Sequence, residues 1–164
     1  MKMHIILALT TVVSSVTFGQ TLKDAIRKTD NERFAEANND FRKLIASEPA
    51  NGSIYFYAGE NYQFQGELDS AMIMWKKAYD VQALSPLSIV SLGKSLWISG
   101  DQVGAKTQFA NAMKMTKNKN AEVIRAIAGT YVYSKNKNLG EFSFTGGEFY
   151  KVLDPGNYTY VVTS

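Results

Sequence analysis

Residues 53–82 read SIYFYAGENYQFQGELDSAMIMWKKAYDVQ, and residues 87–116 read LSIVSLGKSLWISGDQVGAKTQFANAMKMT. Laid over one another at a shift of 34, Gly59 falls on Gly93, Gly66 on Gly100, Ala71 on Ala105, Trp75 on Phe109 and Ala78 on Ala112. One period further back, Ala37 falls on Ala71, Phe41 on Trp75 and Leu44 on Ala78. A fixed period of this length marks a stacked repeat. Within each stretch the apolar residues stand three and four apart, as on a helix, until Gly66-Glu67 and Gly100-Asp101 interrupt them. Glycine at such a place closes a helix by taking a left-handed conformation. Each unit therefore reads as two helices, 53–65 with 68–82 and 87–99 with 102–116. The small residues mark a close approach of the paired helices, and Trp75 and Phe109 fill the groove between neighbouring hairpins. One such unit cannot bury its apolar face alone, so the units must stack.

The flanks continue the pattern in weakened form. Residues 21–32, TLKDAIRKTDNE, suit a polar first helix over the open end of the stack. Residues 121–134, AEVIRAIAGTYVYS, look like the first helix of a further unit. Beyond them, residues 139–164 carry two readings. Repeat context makes them a degenerate second helix ending at Asp154-Pro155; local chemistry, with Phe142 and Phe144 alternating before Gly146-Gly147, makes them a short β-hairpin tail.

This pattern resembles the tetratricopeptide repeat (TPR) family, whose units run Trp-x2-Leu-Gly-x2-Tyr, then Ala-x3-Phe, then Pro. One unit here offers Tyr55-x2-Ala58-Gly59-x2-Tyr62 and Ala71-x3-Trp75; the next offers Ile89-x2-Leu92-Gly93-x2-Leu96 and Ala105-x3-Phe109. The first unit keeps Ala37-x3-Phe41 and Pro49, but Asp24, Lys28 and Glu32 stand where Leu, Tyr and the closing Gly belong. Both good units lack the proline in place, and Pro86 comes three residues late. The resemblance implies an all-α, TPR-like solenoid of antiparallel helix pairs over 21–135. Its units are 21–50, 52–85, 86–119 and a partial 120–135, followed by the 139–164 tail.

It also implies a function. In this family the first helices line a concave face that commonly binds a peptide or a neighbouring protein. By position, that face takes Phe56, Glu60, Gln63 and Phe64 from one unit and Val90, Lys94, Trp97 and Ile98 from the next, with Thr130 and Tyr133 continuing it. The alternative for Trp97 and Phe64 is a place in the core. Glu60 and Lys94, 34 residues apart, are expected side by side as an exposed pair on that face. Phe56 and Glu60 occupy the places where some members carry the Lys and Asn of a carboxylate clamp, so that specificity is not expected.

Composition narrows the remaining classes. The chain has 164 residues, no cysteine and one histidine, His4. Thiolate metal sites, disulfide scaffolds and His-based catalysts therefore lose their central group. Residues 1–19 have the layout of a secretory signal peptide: Lys2, an apolar stretch Ile5–Val13, then the small-residue tail Ser14–Gly19. Cleavage is expected between Gly19 and Gln20, with no lipobox cysteine to anchor the product, which places the chain in the periplasm or outside the cell. Its apolar stretch is short of the roughly 20 residues a membrane span needs. The net charge of +3 is too mild to imply nucleic acid. Two Lys-Asn-Lys-Asn runs, at 117–120 and 135–138, fall on opposite edges of stacked hairpins and read as separate solvated loops. Glu67 and Asp69 form an acid pair at a helix entry, where carboxylates favour the helix dipole. No catalytic residue, cofactor or metal ligand is expected. The expectation is a protein-binding scaffold of the bacterial envelope. Its alternatives are a subunit of an envelope assembly or secretion complex held through its C-terminal end, and a carboxylate-based cell-wall enzyme using Glu60, Glu67 or Asp69.

Overall fold

The computed structural model describes residues 21–133. The expected signal segment, 1–19, and the 139–164 tail lie outside the described residues. Every element among the described residues is a helix: α1 (Leu22–Asp30), α2 (Phe34–Ser47), α3 (Gly52–Phe64), α4 (Leu68–Val81), α5 (Pro86–Ile98), α6 (Gln102–Met115) and α7 (Ala121–Tyr133). Phe34, Leu68 and Gln102 open helices at intervals of 34, as do Gly52 and Pro86, while Ala121 follows Pro86 by 35. Among the described residues, no helix is long and apolar enough to cross a membrane.

The starts and stops are set locally. The side chains of Thr21, Asn51 and Asp101 accept from the Asp24, Ser53 and Gly104 amides, satisfying N-terminal donors that have no partner within their helices. Pro86 opens α5, where its missing N–H costs nothing. At the end of α3, Gly66 takes φ +80° and the Glu67 amide donates to the Tyr62 carbonyl at 3.0 Å. At the end of α5, Gly100 takes φ +93° and the Asp101 amide donates to the Leu96 carbonyl at 2.9 Å. This is the left-handed cap that the glycines announce. The first unit makes the same turn without glycine: Glu32 sits at φ +58°, and the Arg33 amide donates to the Lys28 carbonyl at 2.8 Å.

These turns are three residues long, so paired helices that pack along their length must run antiparallel. Packing is most extensive between α3 and α4 and between α5 and α6, followed by α4 on α5. The glycines inside α3 and α5 make that approach possible. A Cβ on Gly59 would come within 2.5 Å of Trp75 Cδ1, and one on Gly93 within 2.7 Å of Phe109 Cδ1. Each aromatic thus lies directly against the glycine of its own hairpin, not only in the groove between hairpins as expected. Ala25 holds the corresponding place in the first unit, buried with Ala37 and Phe41 in one cluster. Trp75, Phe109, Ala71, Ala105 and Ala112 lie in the main core, which extends to Val123 and Ile127 of α7.

Where the first unit departs from the pattern, it departs twice. Lys28 stands at the place of Tyr62, and Asp40 at the place of Met74. Tyr62 and Met74 both pack against the core; Lys28 and Asp40 instead form an ion pair, with the Asp40 carboxylate buried. A charged pair thus stands where the next unit places two residues that pack on the core.

Candidate functional site

The face that the sequence assigned to a partner is largely filled by the protein itself. Phe56, Gln63, Val90, Lys94 and Trp97 are all buried. The cause is the position of α5, which packs on α4 and α6 and also touches α3 and α7. Trp97 is held from two sides: its ring meets Tyr131 edge-on at 4.9 Å and lies 6.5 Å from Phe109. It is a core residue and not an anchor offered to solvent. Thr130 is buried as well, its hydroxyl donating to the Ala126 carbonyl at 3.0 Å.

Glu60 and Lys94 do meet, with Nζ 2.7 Å from Oε1. The expected exposure is corrected, however: the Lys94 side chain is 1% exposed and that of Glu60 17%. The ammonium lies 4.8 Å from the Trp75 ring centroid and 5.9 Å from that of Phe56. Cation–π attraction from two faces thus adds to the single carboxylate. The stem of Lys94 runs through the core, so the pair ties α3 to α5 from within.

Two further polar devices stiffen the same face. The Thr29 hydroxyl donates to Asn61 Oδ1 at 2.8 Å, and Asn61 Nδ2 donates to Asn38 Oδ1 at 2.7 Å, joining α1, α2 and α3. The Tyr57 hydroxyl of α3 donates to the Glu122 carboxylate of α7, bridging first helices two units apart. Burial and the bond to Glu122 push the Tyr57 hydroxyl well above the ordinary tyrosine range. The sequence reasoning missed both of these, and the Lys28–Asp40 pair as well. The signal for Lys28–Asp40 was present as charged residues at positions held by Tyr62 and Met74 in the next unit; Asn61 had none, since its counterparts Arg27 and Ser95 are polar too. The Tyr57–Glu122 bridge had no signal, because its ends are 65 residues apart and unrelated by the period.

What stays open is narrower. Phe64 is 58% exposed and Tyr133 37%, and Ile98 is partly exposed. Phe64 and Ile98 are the last residues of α3 and α5, and Tyr133 is the last described residue of α7. Counted by the period they hold one position in successive units, an apolar row by register. Glu67 and Asp69 lie beside this row as the N-cap of α4 and an acid of its first turn, both exposed. That placement gives them a helix-capping electrostatic role. Comparison with known proteins finds no matching family model and no matching curated sequence, so the reading of this surface rests on the residues themselves.

Proposed function

We propose that this chain is an exported, TPR-like helical-repeat scaffold that binds a protein or peptide partner of the bacterial envelope through the ends of its first helices. The supporting observation is the row Phe64, Ile98 and Tyr133, apolar side chains left open to water at one repeat position while their neighbours Gln63 and Trp97 are buried. An exposed apolar set at a regular position marks an interaction surface better than scattered apolar residues do. The rest of the first-helix face, including Lys94 and Trp97, serves as the rigid backing of that row.

The test is capture from envelope extract on the immobilised chain, with the retained proteins identified. A specific partner should be retained by the parent and by Leu84→Glu, which charges an exposed residue of the α4–α5 loop. It should be lost with Phe64→Glu combined with Ile98→Glu. Equal retention by both variants would remove the row from the binding surface. Intact mass of the chain recovered from the envelope should show a start at Gln20; a chain retaining Lys2 would contradict export by a cleaved signal.

A further inference from the structure

The outer face of α4 carries an ordered stripe. Asp69, Ile73, Lys76, Lys77 and Asp80 are all exposed, and their spacing of three and four places them on one side of the helix. Ile73 is 61% exposed, an apolar side chain in the middle of a charged stripe. Acids, Glu67 and Asp69, stand on its N-terminal side, and bases, Lys76 and Lys77, on its C-terminal side. None of these four charges is in an ion pair among the described residues. Lys76 and Lys77 stand four and three residues before Asp80, within reach on the same helix, whereas Asp69 has no base within one turn of it. Asp69 and Lys77 are eight residues apart, about 12 Å along the axis.

The stripe is self-complementary about Ile73. Turned end for end, Asp69 comes to the place of Lys77 and Lys77 to that of Asp69, with Ile73 unmoved. Asp80 then falls opposite Gly66, beyond the start of α4 and beside Glu67, so the match is carried by Asp69 and Lys77. Beside Ile73 lies an open cleft of about 640 Å³, lined by Tyr55, Met74 and Leu92 and rimmed by Lys76 and Lys77. It offers an apolar seat for a second isoleucine. A patch that matches itself after a half-turn is the requirement for a two-fold dimer, the commonest closed assembly.

We propose that two copies of this chain associate through antiparallel α4 helices, with Ile73 of each copy at the two-fold axis and the Asp69 carboxylate of each copy paired with the Lys77 ammonium of the other. The second copy is the occupant that the charge pattern specifies, because the chain itself supplies both halves of the match. One helix face buries less than the roughly 1,200 Å² of a standard stable interface. The dimer is therefore weak, concentration-dependent and weakened by salt. The first-helix ends are not part of it, so partner capture and self-association can be separated.

The experiment is sedimentation equilibrium of the full chain over a range of concentrations, at about 0.05 M and about 0.5 M salt. The parent should dimerise reversibly, more tightly at low salt. Asp69→Lys alone and Lys77→Glu alone should each weaken the dimer about tenfold or more, since each sets like charges opposite one another twice. The double variant Asp69→Lys/Lys77→Glu should recover it, as should an equimolar mixture of the two single variants. Circular dichroism of these surface variants should match the parent. A parent that sediments as a monomer at every concentration, a dimer indifferent to the single reversals, or a double variant no tighter than the singles would each overturn the assignment. Capture of an envelope partner by the monomeric Lys77→Glu variant, whose change lies toward the far end of α4 from the row, would leave the scaffold reading standing whichever way the dimer test falls.

Discussion

The ion pair of Glu60 with Lys94 offers an asymmetric perturbation. In Glu60→Gln the ammonium keeps its place, 1% exposed, with only the Trp75 and Phe56 rings for company. Removing one partner of a buried pair and stranding the other costs about 3–5 kcal/mol. In Lys94→Met the stem's packing is nearly conserved, and the stranded group is a carboxylate that is already 17% exposed and can turn to water. A volume-conserving exchange of this kind costs less than about 1.5 kcal/mol in itself. The expected loss for Lys94→Met is therefore about 1–2 kcal/mol, well below that for Glu60→Gln. Replacing both, as Glu60→Leu with Lys94→Met, removes the uncompensated charge and should leave stability within about 1 kcal/mol of the parent. Urea unfolding followed by far-ultraviolet circular dichroism measures all three. If Lys94→Met costs more than Glu60→Gln, or if the double replacement costs as much as the singles combined, the ammonium is not held as described and the link between α3 and α5 must be apolar packing alone.

Glycine provides a matched comparison: Gly93→Ala should destabilise by about 1–3 kcal/mol because its Cβ meets Phe109. Gly129→Ala, with nothing within 4 Å, should stabilise by up to about 1 kcal/mol in the same melts. Glu32 pays for a left-handed conformation that glycine adopts freely, so Glu32→Gly should raise stability by about 1 kcal/mol; a loss would mean that its side chain matters to the turn. Trp97→Ala should cost about 3–5 kcal/mol in unfolding experiments, as expected of a core aromatic, and a neutral result would return Trp97 to the surface. Burial pushes the Tyr131 hydroxyl up to about 12 from an ordinary value of 10.0. The folded state thus favours the protonated phenol, and its contribution is complete below pH 10 and lost as pH rises from 10 toward 12. Urea midpoints should fall over that window, less steeply in Tyr131→Phe.

The helices were legible because their signals are local. Glycine at Gly66 and Gly100, alanine facing alanine and an aromatic sixteen residues after a glycine are all fixed by backbone geometry, which repeats with the period. The first unit shows the limit of that logic. Glu32 makes the turn of Gly66 without being glycine, because the helix-end hydrogen bonds hold it in place. Lys28 looked like a loss of pattern when compared with the consensus. The structure pairs it with Asp40, so that two charges stand together where the next unit carries Tyr62 and Met74. The surface was less legible. Periodicity says that two residues occupy the same place in successive units, but not whether that place is wet. Lys94 and Trp97 were assigned to an open face on position alone. Their burial depends on how closely α3 and α7 approach α5, which no residue of α5 announces by itself.

Two inversions of the usual order support the proposed binding surface. Polar groups lie inside, at Lys94, Gln63 and Asn61, while apolar groups lie outside at Phe64, Ile98 and Tyr133. These follow one another in the chain: Gln63 precedes Phe64 and Trp97 precedes Ile98, so α3 and α5 each bury one side chain and leave the next more open at their last step. A stack selected for stability alone would gain by making Phe64 and Tyr133 polar, since exposed aromatic surface adds little to folding and favours aggregation. It would also gain by exchanging Lys94 and Glu60 for apolar residues. Keeping both departures costs stability in two places. The interior pair fixes the spacing of α3 against α5, and that spacing sets the distance between Phe64 and Ile98 at the helix ends. The polar interior and the apolar row are then two parts of one device, and a partner that reads the row should discriminate against variants that loosen the pair even where Phe64 and Ile98 are untouched.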